Sequence, residues 1–374
     1  MCIRDRNEAF ASWIMYKASD AYWPEGEFNR ETQKRALNAM SNDSLAAARQ
    51  IREPVDHNHS ISDAFDSITY QKGGGVLAML ERYVGEDAFQ AGVRLHMDRH
   101  AHETATAEDF IASVAEGADR AEIEAAFTSF IEQPGVPSLT TRLDCSDPEN
   151  PRLMVSQARY APLGSAINPE SGQWHVPMCI KYSAGGRDMS QCALVSDKEQ
   201  TIELDTDSCP SHLHPNADGA GYYRFAMKDG DWQGLIDAVP DMAAAEALAL
   251  ADSLQAGFSA GEVATDTYVT GMVALVKHDT WDVADAATGH LEAITRILDR
   301  RQLPGVEQAY REIVGPRFAR LPDDGDEGTA LLRQRMQRFL VVIAKEPAMR
   351  EPLALQAAAR IGLDGEPDPA AAPA

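Results

Sequence analysis

The sequence predicts a multi-domain α+β fold in which a small antiparallel β-sandwich separates two helical regions. Apolar residues recur at a helical spacing from residue 7 to about 133 and alternate singly from about 136 to 228. They return to a helical spacing from Trp232 onward. A chain of 374 residues is long enough for two or three domains. We therefore expect three domains, over residues 1–135, 136–229 and 230–374.

The first region carries clear helix signals. Apolar residues between positions 76 and 84 fall on one helical face. In TATAEDF, residues 104–110, Thr106 is a suitable N-cap and two acidic residues follow in the first turn. The string EQPGVPSL, residues 132–139, contains two prolines and a glycine and is expected to interrupt regular structure.

The second region alternates apolar and polar residues in short segments bounded by Gly, Pro, Asn and Asp. Several such segments within about 90 residues favour a small sandwich. The predicted strands are RLMVSQARY, HVPMCIKYS, SQCALVS, QTIELDT and GYYRFAMK. The third region is Ala-rich and helical, and it ends in DGEPDPAAAPA, which has no periodicity.

The charge balance narrows the classes of partner. With 58 acidic and 34 basic residues the net charge is −24, which repels phosphates and argues against nucleic acid and anionic membranes. No run approaches the ~20 apolar residues that span a bilayer. The opening MCIRDRNEAF lacks the apolar segment of a signal peptide.

Four of the five cysteines fall in the predicted β region. A two-residue turn at Gly185–Gly186 pairs residues whose numbers sum to 371, which places Cys179 opposite Cys192 at a non-hydrogen-bonded position. Cα atoms at such positions approach to about 4.5 Å, which permits a disulfide. Cys145 and Cys209 remain as a candidate second pair. Two disulfides would indicate a periplasmic or secreted bacterial-type protein, and four reduced cysteines in a cytoplasmic one are the alternative.

The string FDSITYQKGGGVLAML, residues 65–80, places a tyrosine three residues before three glycines. By residue type alone, Tyr70 is a packing residue. A phosphate-binding loop requires Lys after the glycines, whereas Lys72 precedes them, so that interpretation is rejected.

Histidines cluster in HMDRHAHE. His96 and His100 stand at the i, i+4 spacing that can hold zinc, but Met97 occupies the position of the general base in H-E-x-x-H. We therefore expect these histidines and His102 to be surface residues.

Four strings together resemble the M1 family of zinc aminopeptidases, members of the gluzincins. These are NEAFASW, then FDSITYQKGGGVLAML, then HETATAEDF, then FIEQPGVPSL, in the order and spacing of that family's motifs. The later strings QARYAPLG and PNADGAGYYRF resemble its sandwich domain. The resemblance implies the helical C-terminal half of a thermolysin-like catalytic domain, the β-sandwich and part of an α-helical, solenoid-like domain.

The resemblance also implies roles for individual residues. Tyr70 would hydrogen-bond the oxyanion of the tetrahedral intermediate, a task suited to a phenol that is neutral at pH 7. Glu8 would be one ligand of a single Zn²⁺. Asn7, Lys72 and Gly73 would be structural members of the motifs, with the glycines allowing close backbone approach.

The family's H-E-x-x-H and G-x-M-E-N motifs are absent, and both belong upstream of Glu8. We therefore expect an internal fragment of an aminopeptidase that removes N-terminal residues from peptides, and we expect this chain alone to be inactive. The alternative is a non-catalytic M1-like scaffold that binds peptides or partners. The sequence indicates neither the substrate's preferred residue nor the oligomeric state.

Overall fold

The computed structural model describes residues 4–52, 66–227 and 231–363, with side chains from residue 8. The chain divides into two compact units, Met1–Thr267 and Tyr268–Ala374. Mixed helix and small sheets agree with the predicted α+β class. Among the described helices, none is both long and apolar enough to cross a membrane.

Helices form the first part of the larger unit, as the apolar spacing predicts. A π-helical turn at Ile68–Lys72 leads directly into the third helix. The helices are α1 (Arg4–Tyr22), α2 (Phe28–Asp43), α3 (Gly73–Val84), α4 (Glu86–Arg99), α5 (Ala107–Ala118) and α6 (Glu122–Ile131).

The predicted start of α5 is confirmed in detail. The Thr106 hydroxyl accepts a hydrogen bond from the Asp109 backbone N–H at 3.2 Å, and the Thr106 N–H donates to the Asp109 carboxylate at 2.6 Å. This reciprocal pair is a capping box, which satisfies two of the donors that a helix start leaves open.

Two small sheets follow the helices. The strands are β1 (Pro137–Asp144), β2 (Arg152–Arg159), β3 (Val176–Ala184), β4 (Arg187–Val195), β5 (Glu199–Glu203), β6 (His212–His214) and β7 (Arg224–Met227). One sheet has the order β5-β2-β1-β7 and the other the order β4-β3-β6. Apolar residues of both sheets share one core cluster with those of the helices.

Two expectations for the sheets are corrected. The pairing is not wholly antiparallel, because β1 and β7 run parallel, with Ser138 opposite Arg224. The long connection between these strands allows a parallel pair, whereas a hairpin would not. In addition, β1 begins at Pro137, inside the string predicted to lack regular structure. Proline is tolerated at the first residue of a strand, where the missing N–H need not pair.

The predicted hairpin register and both disulfides are confirmed. Cys179 pairs with Cys192 across β3 and β4, with their Cα atoms 4.0 Å apart. Cys145 and Cys209 form the second disulfide. Gly185 and Gly186 both adopt positive φ, the conformation that a two-residue hairpin turn requires.

More helices follow β7. A short helix and a long Ala-rich helix complete the larger unit, and the regular secondary structure among the described residues of the smaller unit is helical. The helices are α7 (Asp231–Asp237), α8 (Ala244–Ala260), α9 (Thr265–Val276), α10 (Trp281–Ile294), α11 (Leu303–Phe318), α12 (Glu327–Arg338) and α13 (Pro347–Ile361), with a π-helical turn at Phe339–Ile343.

Candidate active site

Two of the three glycines, Gly73 and Gly75, let α3 pack against two other helices at close range. A Cβ placed on Gly73 would lie 2.6 Å from the Cβ of Ala9 in α1. A Cβ on Gly75 would lie 2.7 Å from the Cβ of Ala36 in α2. Both distances are too short for real carbon atoms, so the glycines bring α3 into contact with α1 and α2 where any side chain would force them apart.

Tyr70 lies in the π-helical turn, and so in helical structure that begins before the glycines. Its half-buried side chain lines a cavity of about 290 Å³ between α1, α2 and the turn. Short π-helical segments occur frequently at functional sites. The cavity is lined by Ser12, Trp13, Met15, Tyr16, Thr32, Arg35, Asp66, Ser67, Tyr70, Gln71 and Gly74.

The structure places Glu8 in α1 beside the contact between Ala9 and Gly73. The two motifs predicted to carry the site therefore meet where α1 crosses the start of α3. Glu8 is half-buried and, among the described residues, is not part of the lining of the Tyr70 cavity. Asn7 belongs to the same helix, and its side chain lies outside the described residues.

Lys72 anchors the end of the π-helical turn. Its Nζ lies 2.9 Å from the Asp43 carboxylate, and both side chains are fully buried. The same nitrogen donates to the Gln133 carbonyl at 3.0 Å and the Gly135 carbonyl at 3.4 Å. The Asp43 carboxylate also accepts from the Gly135 N–H at 2.8 Å and the Tyr222 hydroxyl at 3.3 Å. Lys72 thus joins α2, the turn, the segment after α6 and the β region.

Burial shifts the acid–base behaviour of this cluster. It lowers the pKa of Lys72 from its usual value, while the adjacent Asp43 carboxylate acts in the opposite sense. Burial, reinforced by Asp43, raises the pKa of Tyr222 well above its usual value. Tyr222 is therefore a neutral donor to Asp43. Within the described residues, the polar contacts of Lys72 are all with groups of the protein itself.

Asp66 and Arg49 hold the beginning of the turn. One oxygen of the Asp66 carboxylate accepts from the N–H groups of Ile68 at 2.9 Å and Thr69 at 3.1 Å. The Arg49 guanidinium donates to both Asp66 oxygens, at 2.6 and 3.1 Å, and to the Thr69 hydroxyl at 2.8 Å. Tyr70 follows Thr69 directly, so one anchored residue precedes it and another, Lys72, stands two positions later.

A second tyrosine faces the same cavity. Burial raises the pKa of Tyr16, with Arg35 acting in the opposite direction from 5.5 Å above its ring. The Tyr16 phenol therefore stays neutral near pH 7 and provides a matched comparison for Tyr70.

His96 and His100 do not fit the expectation of a surface cluster. Both are half-buried and line a separate, mainly apolar cavity of about 340 Å³, with ring centres 4.9 Å apart. Burial, followed by the neighbouring His100, lowers the pKa of His96. His102 is exposed, as expected. Within the part of the chain that the structure describes, no group of three or more His, Cys, Asp or Glu side chains is placed to hold a metal ion.

Comparison with known proteins agrees with the motif resemblance. Residues 6–131 match the model of the peptidase family M1 domain. The matched residues contain both the Glu8 and Tyr70 motifs, so the predicted resemblance to the M1 family is confirmed.

The M1 match extends to curated relatives. The chain is 28% identical to Aminopeptidase M1 of Arabidopsis thaliana, over 62% of this chain and 27% of the relative. It is 24% identical to Probable M1 family aminopeptidase 1 of Encephalitozoon cuniculi, over 92% of this chain and 38% of the relative. Identity to the Puromycin-sensitive aminopeptidase of Caenorhabditis elegans is 25%, over 80% of this chain and 32% of the relative. The chain thus spans about a quarter to two fifths of these relatives' lengths.

Zinc is the metal of M1 peptidases, and a catalytic zinc site takes three protein ligands. The described residues of this chain do not provide such a set. Glu8 is the single ligand candidate that its motif supplies.

Sequence reasoning missed Arg49 and Asp43. Asp66 carried a weak signal, since an aspartate ahead of a helical run is a common N-terminal residue. Arg49 stands in irregular chain and Asp43 at the end of α2, with no local pattern to distinguish them. Their roles depend on contacts with residues from 17 to 179 positions away.

Proposed function

We propose that this chain is part of a zinc aminopeptidase that removes N-terminal residues from peptides. Tyr70 is the oxyanion-stabilising residue and Glu8 is one ligand of a single zinc ion. The remaining ligands and the general base belong to parts of the protein beyond this chain. The observation that carries the proposal is the crossing of α1 and α3, which brings the Glu8 and Tyr70 motifs of an M1 domain together.

The position of Tyr70 suits a transition-state role. Its side chain borders a cavity, and its backbone belongs to a turn held at both ends by buried or paired charges. A phenol hydroxyl carried on a backbone held in this way can donate a hydrogen bond to a developing oxyanion with little reorganisation during the reaction. Donors of this type contribute about 10²–10³ in rate.

Tyr70→Phe in the full-length enzyme tests this role. We expect kcat for aminoacyl-p-nitroanilide hydrolysis to fall about 100-fold or more, with KM changing little, because the hydroxyl acts on the transition state. Tyr16→Phe, in the same cavity, is the matched control and should leave kcat nearly unchanged. A loss of less than about tenfold for Tyr70→Phe reduces this residue to packing.

Glu8→Gln tests the metal role separately. Loss of one carboxylate ligand should reduce the zinc retained after dialysis, measured by elemental analysis of the full-length protein. Glu25→Gln, at an exposed turn after α1, is the control and should retain zinc. Equal zinc content in the two variants would remove Glu8 from the ligand set.

The 374-residue chain by itself is expected to hydrolyse none of these substrates, with or without added zinc. One carboxylate does not hold a catalytic zinc ion. Robust turnover by the isolated chain would place the active site elsewhere. If the full-length protein is also inactive but binds peptides, the chain is part of an M1-like scaffold.

We also propose that the protein works in an oxidising compartment, either the periplasm or the exterior of a bacterial-type cell. Two disulfides tie together the β region, and such bonds persist where thiols are not kept reduced. Non-reducing peptide mapping of protein from its native compartment tests this. Free thiols at Cys179 and Cys192 would instead indicate the cytoplasm.

A further inference from the structure

We propose that Arg49 is a positioning residue for Tyr70, acting through Asp66 and Thr69. This proposal rests on the function proposed for Tyr70, and it extends the site to a residue outside the M1 motifs. Asp66 contacts the backbone of the turn through both its carbonyl and its carboxylate. The Tyr70 N–H donates to the Asp66 carbonyl at 3.2 Å, while the Asp66 carboxylate accepts from the N–H groups of Ile68 and Thr69. Asp66 therefore fixes the first turn of the segment that carries Tyr70.

Arg49 fixes the orientation of the Asp66 carboxylate. The Asp66 side chain is 41% exposed, and so water competes for it, whereas the Arg49 side chain is only 15% exposed. Arg49 contacts both carboxylate oxygens, and a planar guanidinium that does so fixes the plane of the carboxylate as well as its position. The cap that begins the Tyr70 turn is therefore set by Arg49.

Arg49 also contacts Thr69, the residue directly before Tyr70. Thr69 is fully buried, and its hydroxyl accepts from the same Arg49 nitrogen that contacts Asp66. Arg49 also donates to the Gln50 carbonyl at 2.9 Å, which ties it to its own segment. The guanidinium thus bridges the chain after α2 to the turn, one residue from Tyr70.

Removal of Arg49 should affect the catalytic rate and the folding stability to different extents. Because water can solvate the 41% exposed Asp66 carboxylate once Arg49 is removed, loss of this pair destabilises the fold less than loss of a fully buried pair would. A catalytic group displaced by about 1 Å can lose about 100-fold in rate. Removing Arg49 should therefore impair catalysis far more than stability, a combination that a merely structural residue does not produce.

The test uses Arg49→Met and, as matched control, Arg52→Met. Arg52 also pairs with two carboxylates, those of Glu108 and Glu132, but does not contact the turn. In the full-length enzyme, Arg49→Met should lower kcat about 10- to 100-fold with KM within about twofold. Arg49→Lys should recover part of the loss, and Arg52→Met should stay within about twofold of the parent.

A second readout is independent of catalysis. In the 374-residue chain labelled with 3-fluorotyrosine, the ¹⁹F resonance of Tyr70 is assigned by its absence in Tyr70→Phe. Arg49→Met should shift or broaden that resonance, and Arg52→Met should not. Thr69→Val removes one Arg49 contact and should shift the Tyr70 resonance less, in the same direction. This variant replaces Arg49→Met in the test if Arg49→Met does not fold.

The outcomes separate the two proposals. An unchanged Tyr70 resonance in Arg49→Met overturns the positioning role. So does an unchanged kcat in Arg49→Met when Tyr70→Phe is impaired. If the resonance moves but neither variant affects the rate, Arg49 positions Tyr70 as proposed and the catalytic role of Tyr70 fails.

Discussion

Replacing Lys72 with methionine tests whether the buried ion pair holds the site together. Methionine preserves much of the side-chain length but removes the cation 2.9 Å from Asp43 and the donor to the carbonyls of Gln133 and Gly135. Among the described residues, the fully buried Asp43 carboxylate would then keep the Gly135 N–H and the Tyr222 hydroxyl as its donors and would have no cation beside it. Breaking a buried pair in this way destabilises by about 3–5 kcal/mol.

The assay is urea unfolding of the 374-residue chain, with hydrogen exchange of peptides covering residues 68–84 as a local probe. Lys34→Met is the control, because Lys34 forms an i,i+3 pair with Glu31 in which both side chains are about one third exposed. Removing that pair should change the free energy of unfolding by less than about 0.5 kcal/mol.

A second variant isolates the cause. Adding Asp43→Asn to Lys72→Met removes the orphaned charge while keeping an acceptor for the Gly135 N–H. The double variant should therefore be more stable than Lys72→Met by about 2 kcal/mol. A loss below about 1 kcal/mol for Lys72→Met, or no recovery in the double variant, would refute the reasoning.

Two further predictions concern stability. The Cys145–Cys209 bond spans 64 residues and the Cys179–Cys192 bond spans 13. Replacing the first pair by serine should lower the free energy of unfolding by about 4 kcal/mol, and replacing the second should lower it by about 3 kcal/mol. Urea unfolding of both double variants checks this order. His214 is fully buried and its pKa is lowered to about 4, chiefly by burial. Because the folded pKa lies below the unfolded value of about 6.5, stability is retained above pH 6.5 and falls toward pH 4, by up to about 3 kcal/mol. His214→Gln should flatten this dependence, and an equally steep loss in that variant would assign it to other groups.

Sequence alone determined the features whose causes are local. The capping box at Thr106 needs only residues within one turn, so its pattern is visible in four letters. The hairpin of β3 and β4 follows from the two-residue turn at Gly185 and Gly186. Once that turn is known, the period of a strand fixes every opposing pair, including Cys179 and Cys192.

Motif resemblance predicted the match to the M1 peptidase domain and pointed to Tyr70 and Glu8, but it did not show what holds them. The glycines predicted that another part of the protein packs closely against α3, because only glycine leaves room for such packing. The partner of Gly73, Ala9, became known when α1 and α3 were seen to cross.

Only the tertiary structure decided the long-range features. The parallel pairing of β1 with β7 joins strands about 86 residues apart, and no local period encodes which distant strand completes a sheet edge. The pair of Lys72 with Asp43 and the contacts of Arg49 with the Tyr70 turn are of the same kind. A charged residue in the sequence looks the same whether it is solvated or buried. Its role depends on the partner that the fold places within hydrogen-bonding distance and on the water that the fold excludes.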